Sequence, residues 1–452
     1  MKALIIAAGN GTRMQPVTRG RHKSLMPLLG LKIIERVILG AKDAGILEFI
    51  IVTGYKGKEL QKTLGDGSNY GVSITYVHND NWERANGISV LRAKDFFKEN
   101  FVLLMSDHVF NSRTLLKIQR LKLSDKECVL AIDRKLDSVL DVVDTTKVIF
   151  KKGEVLSLGK NLENYNAYDT GMFVCSSYIF EVLEKTTSKG KNSLTNAMNV
   201  LAKEGKLRGF DITYKFWADC DTYADIKFAE KKLLASLVKA KDGIVSKRFN
   251  RKISTFITRF LVKTPITPNI ISFSILGLAI LTFLLLAKGT YPWIFLGGLL
   301  IQFMSIVDGC DGEVARLKFM HSKWGTWLDP ILDRYVDIAV IVGLSYGYWT
   351  VTNNIFIFPL AIFMTFVMMM DDYMGNKFKS EIGRKLRFGG LKFKRDSRLL
   401  VLALGAITSQ IIFSFLIFTI LSQYKVLVKL IAGKRIAEEA IKPRELTAST
   451  QA

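Results

Sequence analysis

The first 230 residues alternate short apolar runs with amphipathic stretches. A short apolar run bounded by turn residues is typical of a buried strand, and apolar positions at helical spacing indicate a helix that packs on one face. The predicted strands are Lys2–Ala8, Phe49–Thr53, Ile74–Val77, Phe101–Met105 and Cys128–Ile132. The predicted helices are Ile34–Ala44, Lys58–Leu64 and Ser89–Phe97. This alternation predicts an α/β domain whose sheet is largely parallel, with helices on both faces.

Longer apolar stretches begin after residue 266. They cover residues 269–287, 291–307, 327–347, 355–371 and 397–430. A helix needs about 20 apolar residues to cross a bilayer, so the last stretch is too long for one span. It contains Gly405 and Ser409–Gln410, and a break near residue 407 divides it in two. The pattern therefore predicts an all-α polytopic membrane domain with six transmembrane helices.

Charge supports the membrane assignment and gives an orientation. The chain has 64 Lys and Arg residues against 41 Asp and Glu, a formal net charge of +23, and the basic residues are densest beside the apolar stretches. If the N-terminus is inside, the outer loops at 287–290, 348–354 and 406–410 contain one Lys and no Arg. The positive-inside rule then predicts a multi-pass cell-membrane protein with both ends in the cytoplasm.

Composition also suggests the domain boundaries and the partners. We expect a cytosolic domain at 1–230, a basic linker with an interfacial helix at 231–265, a membrane domain at 266–432 and a polar tail at 433–452. The N-terminus lacks the long apolar core of a signal peptide. The basic balance favours membrane lipids and phosphate ligands over nucleic acid. The four cysteines show no CxxC spacing, so they indicate neither a zinc site nor a disulfide framework.

A glycine loop follows the first predicted strand. Residues 7–14 read Ala-Ala-Gly-Asn-Gly-Thr-Arg-Met, and a lysine and a proline follow within 13 residues, at positions 23 and 27. Glycines after a strand let backbone N–H groups approach a triphosphate. A generic turn would explain the glycines alone, but not the added Thr-Arg pair and lysine. The predicted catalytic cations are Arg13 and Lys23, and the predicted nucleotide contacts are Ala7, Ala8, Gly9, Gly11 and Thr12.

Residues 1–230 resemble the nucleotidyltransferases that activate sugar phosphates and alcohol phosphates, which have a Rossmann-like mixed sheet. The resemblance implies a divalent ion, Mg²⁺ or Mn²⁺, bound by Asp107 and Asp221, with Asp219 as the alternative second ligand. The ion would bridge the phosphates of an NTP while an alcohol phosphate attacks in line. Asn86 and Gly87 would contact the nucleotide, unless they form a plain Asn-Gly turn, and Lys160 would hold the acceptor phosphate.

A second acidic pattern lies at the end of the second apolar stretch. It is D-x2-D-G-x2-A-R-x8-G-x3-D-x3-D, and its aspartates are Asp308, Asp311, Asp329 and Asp333. The first pair is three positions apart and the second pair four, so each pair lies on one face of a helix. Carboxylates at the edge of a bilayer are costly unless they bind cations. The pattern therefore predicts a divalent metal site that can hold a pyrophosphate.

The same pattern is the signature of the CDP-alcohol phosphotransferases, and the resemblance covers residues 250–430. It implies that Asp308, Asp311 and Asp329 hold metal ions, Mg²⁺ or Mn²⁺. It also implies that Asp333 completes the metal site and is the base that deprotonates an acceptor hydroxyl, which attacks the β-phosphorus of a CDP-alcohol while CMP leaves. The predicted nucleotide contacts in this half are Gly312, Ala315, Arg316 and Gly325.

Basic residues surround the start of the fifth predicted span. They can bind lipid headgroups or the phosphate of an acceptor, and both alternatives stay open. The two arginines that open the span on one face, Arg395 and Arg398, are the preferred acceptor contacts. The basic residues are Arg384, Lys385, Arg387, Lys392, Lys394, Arg395 and Arg398.

One half makes a CDP-alcohol and the other consumes one, so the fusion suggests consecutive steps. It resembles a family of archaeal and bacterial bifunctional enzymes that convert CTP and inositol-1-phosphate to CDP-inositol. These enzymes then couple CDP-inositol to a second inositol-1-phosphate. The family also leads us to expect a homodimer through the membrane domain. Two alternatives remain: a lipid-synthesis phosphatidyltransferase with a headgroup-activating partner domain, or a soluble domain that only binds or anchors.

Overall fold

The computed structural model describes residues 1–137, 142–238, 243, 245–382 and 393–448. These residues form two compact units, which divide the chain near residue 236. The N-terminal unit is Met1–Ser236, and the C-terminal unit is Leu237–Ala452.

The N-terminal unit is built of short strands and helices within the part of the chain that the structure describes. The strands are β1 (Ala3–Ala7), β2 (Pro27–Leu28), β3 (Leu31–Lys32), β4 (Glu48–Thr53), β5 (Ser73–His78), β6 (Phe101–Met105), β7 (His108–Phe110), β8 (Cys128–Asp133), β9 (Lys147–Lys151), β10 (Glu154–Gly159), β11 (Ala167–Cys175), β12 (Leu207–Asp211) and β13 (Trp217–Asp219). The helices are α1 (Gln15–Thr18), α2 (Ile33–Asp43), α3 (Gly57–Leu64), α4 (Gly87–Leu91), α5 (Ser112–Ile118), α6 (Tyr178–Thr187), α7 (Leu194–Lys203) and α8 (Tyr223–Ser236).

The central sheet of this unit has nine strands within the described residues, in the order β5-β4-β1-β6-β11-β8-β12-β10-β9. The strands β5, β4, β1 and β6 run parallel, while β11 is antiparallel to both β6 and β8. The predicted Rossmann-like mixed sheet is confirmed, and all five predicted strands are present. The predicted helix Ser89–Phe97 is wrong in its extent. The helix there is Gly87–Leu91, and a short 3-10 turn at Lys94–Phe96 follows it.

Two apolar layers cover the two faces of the sheet. Every residue of β1 and of β8 is buried. Strands buried on both faces have no polar side to show, which is why they read as uninterrupted apolar runs in the sequence.

The order of the strands brings the predicted site residues together. Because β1 and β6 are adjacent and parallel, their carboxyl ends meet at one edge of the sheet. The glycine loop leaves β1 at this edge, and Asp107 follows β6. A two-stranded ribbon of β7 and β13 adds Asp219 to these residues, because its register places Asp219 directly opposite His108.

The C-terminal unit is helical over its described residues. A π-helical turn at Ser246–Asn250 leads into α9 (Arg251–Leu261). The long helices are α10 (Pro268–Leu286), α11 (Tyr291–Leu317), α12 (Lys323–Thr352), α13 (Ile357–Ile382), α14 (Arg395–Ile407) and α15 (Ile411–Ala448). The break between α14 and α15 lies at 408–410, next to the predicted division at 407. Helix α15 continues past residue 432, where the sequence suggested a tail.

Four helices among the described residues are long and apolar enough to cross a membrane. These candidate spans are Pro268–Leu286, Tyr291–Leu317, Ile357–Phe378 and Ile411–Ile436. Helices α12 and α14 are not among these four. Helix α14 has only 13 residues, and the first half of α12 carries charged residues, among them Asp329 and Asp333. The C-terminal unit is therefore a membrane domain, but the predicted count of six spans is not confirmed.

Small residues let the long helices approach closely. A Cβ on Gly347 of α12 would overlap the backbone carbonyl of Leu286 at the end of α10. Contacts of this kind between helices use dispersion forces, which act in lipid as well as in water. They fix α10 and α12 against each other, and α10 also packs on α11, the helix that carries the first two aspartates of the pattern.

Candidate active sites

The glycine loop and the carboxylates of the N-terminal unit meet around Lys23. The ammonium group of Lys23 forms ion pairs with both Asp107 and Asp221. Arg13 pairs with Asp221 as well, and its Nη1 lies 2.5 Å from Oδ2 of Asp144. The structure thus brings together both predicted cations and both carboxylates that the sequence assigned to a metal ion.

Electrostatic interactions in this cluster are strong. Burial alone would lower the pKa of Lys23, but Asp107 and Asp221 outweigh burial and raise it above its ordinary value. Burial would raise the pKa of Asp107, but Lys23 and His108 lower it to about 2. Burial, with the repulsion of Asp221 and Asp107, raises the pKa of Asp219 to about 7. A divalent cation placed here would remove the repulsion among these carboxylates.

Asp107, His108 and Asp219 form a potential metal-donor group in this unit. Each can offer one ligand atom, and these atoms lie within 4.8 Å of one another. Oδ1 of Asp219 is buried without a hydrogen-bond partner in the described structure. A carboxylate oxygen in that state fits a bound cation. Asp221 instead directs its two oxygens at Lys23 and Arg13.

The remaining predicted contacts lie around this cluster. Lys160 Nζ lies 2.9 Å from Oδ1 of Asp144, so Asp144 joins Lys160 to Arg13. The side-chain oxygen of Asn86 accepts a hydrogen bond from the backbone N–H of Leu194 at 3.0 Å. This hydrogen bond gives Asn86 a structural role. Gly87 lies close to the same segment, so that a Cβ on Gly87 would overlap the carbonyl oxygen of Asn192.

Sequence reasoning missed Asp144. It lies in a loop, 131 positions from Arg13, and no motif surrounds it. Only the three-dimensional arrangement shows that it pairs with the proposed triphosphate cation and the proposed acceptor cation at once.

The acidic pattern of the C-terminal unit forms a compact group. Asp308 of α11 and both Asp329 and Asp333 of α12 place one ligand atom each within 4.8 Å of one another. Asp311 is buried one turn further along α11, and its Oδ2 accepts a hydrogen bond from Ser272 Oγ at 2.8 Å. Carboxylate oxygens on two adjacent helices are the donors that Mg²⁺ or Mn²⁺ prefers. The residues therefore fit a divalent ion.

Arg395 lies against this group. Its Nη1 is 2.9 Å from Oδ1 of Asp308 and 2.7 Å from Oδ1 of Asp333, and its Nε is 2.9 Å from Oδ1 of Asp337. Sequence reasoning missed Asp337. The signal was present, since Asp337 continues the four-residue spacing of Asp329 and Asp333 by one more turn.

Arg398, the second predicted acceptor contact, is 5% exposed. Its Nε and Nη1 have no hydrogen-bond partner in the described structure, and its guanidinium lies 6.0 Å from the centre of the Phe418 ring. On α13 and α15, Asp371 pairs with Lys425 and Lys429 at 2.5 Å each. Among the described residues, Arg398 and Lys429 are buried and Lys425 is partly buried, and Arg398 lies one turn after Arg395 on α14.

The predicted nucleotide contacts of this unit lie on the same two helices as the aspartates. Gly312, Ala315 and Arg316 follow Asp311 on α11, and Arg316 Nη1 lies 3.2 Å from where a Cβ of Gly312 would be. Gly325 lies in the first turn of α12, where its N–H donates to Ser322 Oγ at 2.8 Å. Four predicted headgroup or acceptor contacts, Arg384, Lys385, Arg387 and Lys392, lie outside the described residues.

Glu313 is a third residue that the sequence did not single out. It is fully buried between Gly312 and Ala315, and its carboxylate accepts hydrogen bonds from three side chains of α9: Arg251 at 2.6 Å, Ser254 at 2.7 Å and Thr258 at 2.7 Å. The polar side chains of α9 therefore face the protein, while Ile253, Phe256 and Phe260 of α9 and Phe249 of the preceding turn are exposed. Such an apolar outer face fits the membrane interface.

Comparison with known families agrees with this geometry. The nucleotidyl transferase family matches residues 2–236, and the CDP-alcohol phosphatidyltransferase family matches residues 265–431. The molecule is thus an enzyme that joins a nucleotidyltransferase to a CDP-alcohol phosphotransferase.

Individual relatives cover nearly the whole chain. A protein of Aquifex aeolicus named bifunctional IPC transferase and DIPP synthase is 33% identical over 436 residues, which are 94% of this chain and 96% of that protein. A protein of the same name from Archaeoglobus fulgidus is 34% identical over 450 residues, 96% of this chain and 84% of that one. The chain belongs to the family of bifunctional IPC transferases and DIPP synthases. The solved inositol-1-phosphate CTP transferase of T. maritima is 23% identical, with a TM-score of 0.46, and the match covers 51% of this chain and 95% of that one.

Proposed function

We propose that this chain catalyses two consecutive reactions. In the N-terminal unit, CTP and inositol-1-phosphate give CDP-inositol and pyrophosphate. In the C-terminal unit, CDP-inositol and a second inositol-1-phosphate give di-myo-inositol-phosphate phosphate and CMP. The observation that carries the proposal is that both sites stand in one chain, which matches relatives named for two activities over 94% of its length.

In the first reaction, Arg13 and Lys23 neutralise the triphosphate of CTP and hold it against the glycine loop. In the structure Lys23 pairs with the carboxylate of Asp107 and Arg13 with that of Asp221, so both cations are placed to bind anionic groups. Asp107 and Asp219 would hold the divalent ion, with Asp221 beside them, and the ion would supply electrostatic stabilisation of the transferring phosphate. The phosphate of inositol-1-phosphate, held by Lys160, is already an anion, so the attack needs no protein base.

In the second reaction, Asp308, Asp311 and Asp329 would hold the divalent ion that binds the pyrophosphate of CDP-inositol. Asp333 accepts the proton of the attacking hydroxyl. Gly312, Ala315 and Gly325 leave room for the cytidine, and Arg316 pairs with the diphosphate. Arg395 keeps Asp308 and Asp333 in place, because one guanidinium bonds to both.

The acceptor of the second reaction carries a phosphate, and Arg398 with Lys425 and Lys429 would bind it. The proposal is supported by the burial of Arg398 and by two donors that lack a partner in the described structure. A buried guanidinium is costly unless an anion compensates it. Arg398→Gln should therefore raise the KM for inositol-1-phosphate in the second reaction while the KM for CDP-inositol stays near that of the wild type. An equal rise in both KM values would argue against this assignment.

We also propose that both ends of the chain face the cytoplasm and that the enzyme is a homodimer through its membrane domain. The orientation is supported by the predicted outer loops, which contain only one basic residue, Lys288. Labelling of single cysteines placed at residues 2 and 352 in intact cells would test it, since only the second should react with an impermeant reagent.

The experiment for the first reaction measures pyrophosphate release from CTP by the full chain in detergent. Release should require inositol-1-phosphate and a divalent ion, and glucose-1-phosphate and choline phosphate serve as matched acceptors. Equal release with all three would contradict the assignment to inositol-1-phosphate. For the second reaction, CMP release from added CDP-inositol should require inositol-1-phosphate and should not require lipid.

A further inference from the structure

The imidazole of His108 is held in one orientation. Its Nδ1 lies 2.9 Å from the backbone carbonyl oxygen of Thr170. A carbonyl oxygen only accepts, so Nδ1 carries a hydrogen and donates it. The ring also lies against Gly171, where a Cβ would overlap it, and it stacks on Trp217 with 6.2 Å between ring centres. The remaining nitrogen, Nε2, therefore points in a direction that the fold fixes.

That nitrogen faces two carboxylates. Nε2 lies 3.8 Å from Oδ1 of Asp107 and 3.6 Å from Oδ1 of Asp219. These distances are too long for hydrogen bonds. They are close to the separation of two ligand atoms that each lie about 2.1 Å from one metal ion. Oδ1 of Asp219 is also buried without a hydrogen-bond partner in the described structure.

We propose that His108 is a ligand of the divalent ion that the N-terminal site binds, together with Asp107 and Asp219. The inference rests on the proposed function and adds the kind of ion. A histidine that binds a metal almost always donates its other N–H to a carboxylate or a backbone carbonyl, as His108 does to Thr170. A site made only of carboxylates suits Mg²⁺, whereas one imidazole added to it favours Mn²⁺, Co²⁺ or Zn²⁺.

Binding of the ion would also change the partners of Lys23. The ammonium group of Lys23 now pairs with Asp107. An ion between Asp107, His108 and Asp219 would replace that pairing and leave Lys23 to bind the triphosphate. The competing account is that His108 is an imidazolium whose charge lies between the two carboxylates and that no ion touches its ring.

Electron spin-echo spectroscopy of the full chain with Mn²⁺ separates the two accounts, because it detects nitrogen bound directly to the ion. The chain has four histidines. We expect a directly bound imidazole nitrogen in the wild type, its loss in His108→Asn, and its retention in the matched controls His78→Asn and His321→Asn. A wild-type spectrum without bound nitrogen, or a signal that persists in His108→Asn, would overturn the inference. A wild-type spectrum without bound nitrogen overturns the inference even if the variant fails to fold.

The affinity for the ion gives a second readout. His108→Asn should weaken Mn²⁺ binding at the N-terminal site by at least about tenfold, and Mg²⁺ binding by less. Equal losses for the two ions would contradict an imidazole ligand. Pyrophosphate release from CTP and inositol-1-phosphate is measured on the same wild-type sample. Normal release without bound nitrogen means that the inference fails and the proposed function stands. Bound nitrogen without release means that the inference stands and the proposed function fails.

Discussion

A single guanidinium, that of Arg395, binds both the proposed base and a proposed metal ligand of the C-terminal unit. Its Nη1 lies 2.7 Å from Oδ1 of Asp333 and 2.9 Å from Oδ1 of Asp308. These two carboxylates come from α12 and α11, so Arg395, at the start of α14, joins three helices at the point where the reaction is expected. The arginine therefore sets the distance between the base and the metal site.

Replacing Arg395 should impair the second reaction alone. Arg395→Ala removes the bridge and leaves the carboxylates to repel each other, and we expect a loss of roughly 100-fold or more in transfer from CDP-inositol. The transfer rate of Arg395→Lys should lie between those of the wild type and Arg395→Ala, because an ammonium group keeps the charge but cannot reproduce the planar guanidinium. Both variants should still release pyrophosphate from CTP. Arg435→Ala, at an exposed arginine of α15, is the control and should transfer normally.

Asp333→Asn should abolish transfer while CDP-inositol synthesis is unchanged. The amide keeps the shape of the side chain but cannot accept a proton, so the hydroxyl of the acceptor is no longer activated. The two activities are measured separately, with added CDP-inositol for the second. Glu381→Gln, on the exposed part of α13, controls for a change of charge. Transfer near the wild-type rate in Asp333→Asn would remove Asp333 as the base.

Lys23→Ala should stop CDP-inositol synthesis and leave its consumption intact. The ammonium group pairs with Asp107 and Asp221 and is the cation proposed to neutralise the triphosphate, so a loss of about 100- to 1,000-fold is expected. The measurement compares pyrophosphate release with CMP release from added CDP-inositol. A parallel fall of both activities would show that the two units do not work independently.

Glu313→Ala should destabilise the C-terminal unit. Three donors of α9 would lose their acceptor in a buried place, which typically costs about 3–5 kcal/mol when a charge is among them. Glu313→Gln keeps an acceptor oxygen and should cost less. Thermal unfolding in detergent, with Glu381→Ala as the exposed control, measures the difference. Equal unfolding temperatures for Glu313→Ala and the control would mean that α9 is not held by this carboxylate.

His22 should make the N-terminal unit less stable in acid. Burial lowers the pKa of His22 to about 4, from an ordinary value of 6.5. Between these values the unfolded chain binds a proton that the folded chain does not, so stability is complete above pH 6.5 and falls as the pH approaches 4. The full loss corresponds to roughly 3 kcal/mol.

His22→Asn tests this pH dependence. The asparagine offers an oxygen near the position of Nδ1, which accepts from Ser24 N at 3.2 Å, but it does not titrate. The variant should therefore show a flatter dependence of unfolding on pH between 7 and 4. The same slope in both proteins would contradict the role of His22.

Much of this arrangement could be predicted from the sequence, because its parts are local. The run Ala3–Ala7 is buried on both faces and reads as a strand, and the glycine loop follows it directly. Asp308 and Asp333 belong to a pattern of fixed spacing within two helices. The helix predicted at Ser89–Phe97 was wrong because its amphipathic pattern continues into a 3-10 turn that packing, and not periodicity, determines.

The long-range pairs could not be predicted. Asp144 meets Arg13 across 131 positions, and Asp219 lies opposite His108 through the register of a two-stranded ribbon. A single sequence contains the residues of such pairs but not the fold that joins them. The count of six spans is not confirmed for a related reason, since α12 carries charges that are compensated in part by Arg395 of α14.

The most direct test of the two-reaction proposal is phosphorus NMR of the full chain in detergent, with a divalent ion, CTP and inositol-1-phosphate. Pyrophosphate and CDP-inositol are expected to form first. CMP and a phosphodiester that carries a second phosphomonoester should follow. Accumulation of CDP-inositol without further change would contradict the soluble phosphorylated acceptor. CTP that stays intact would contradict the first reaction and with it the proposed sequence of steps.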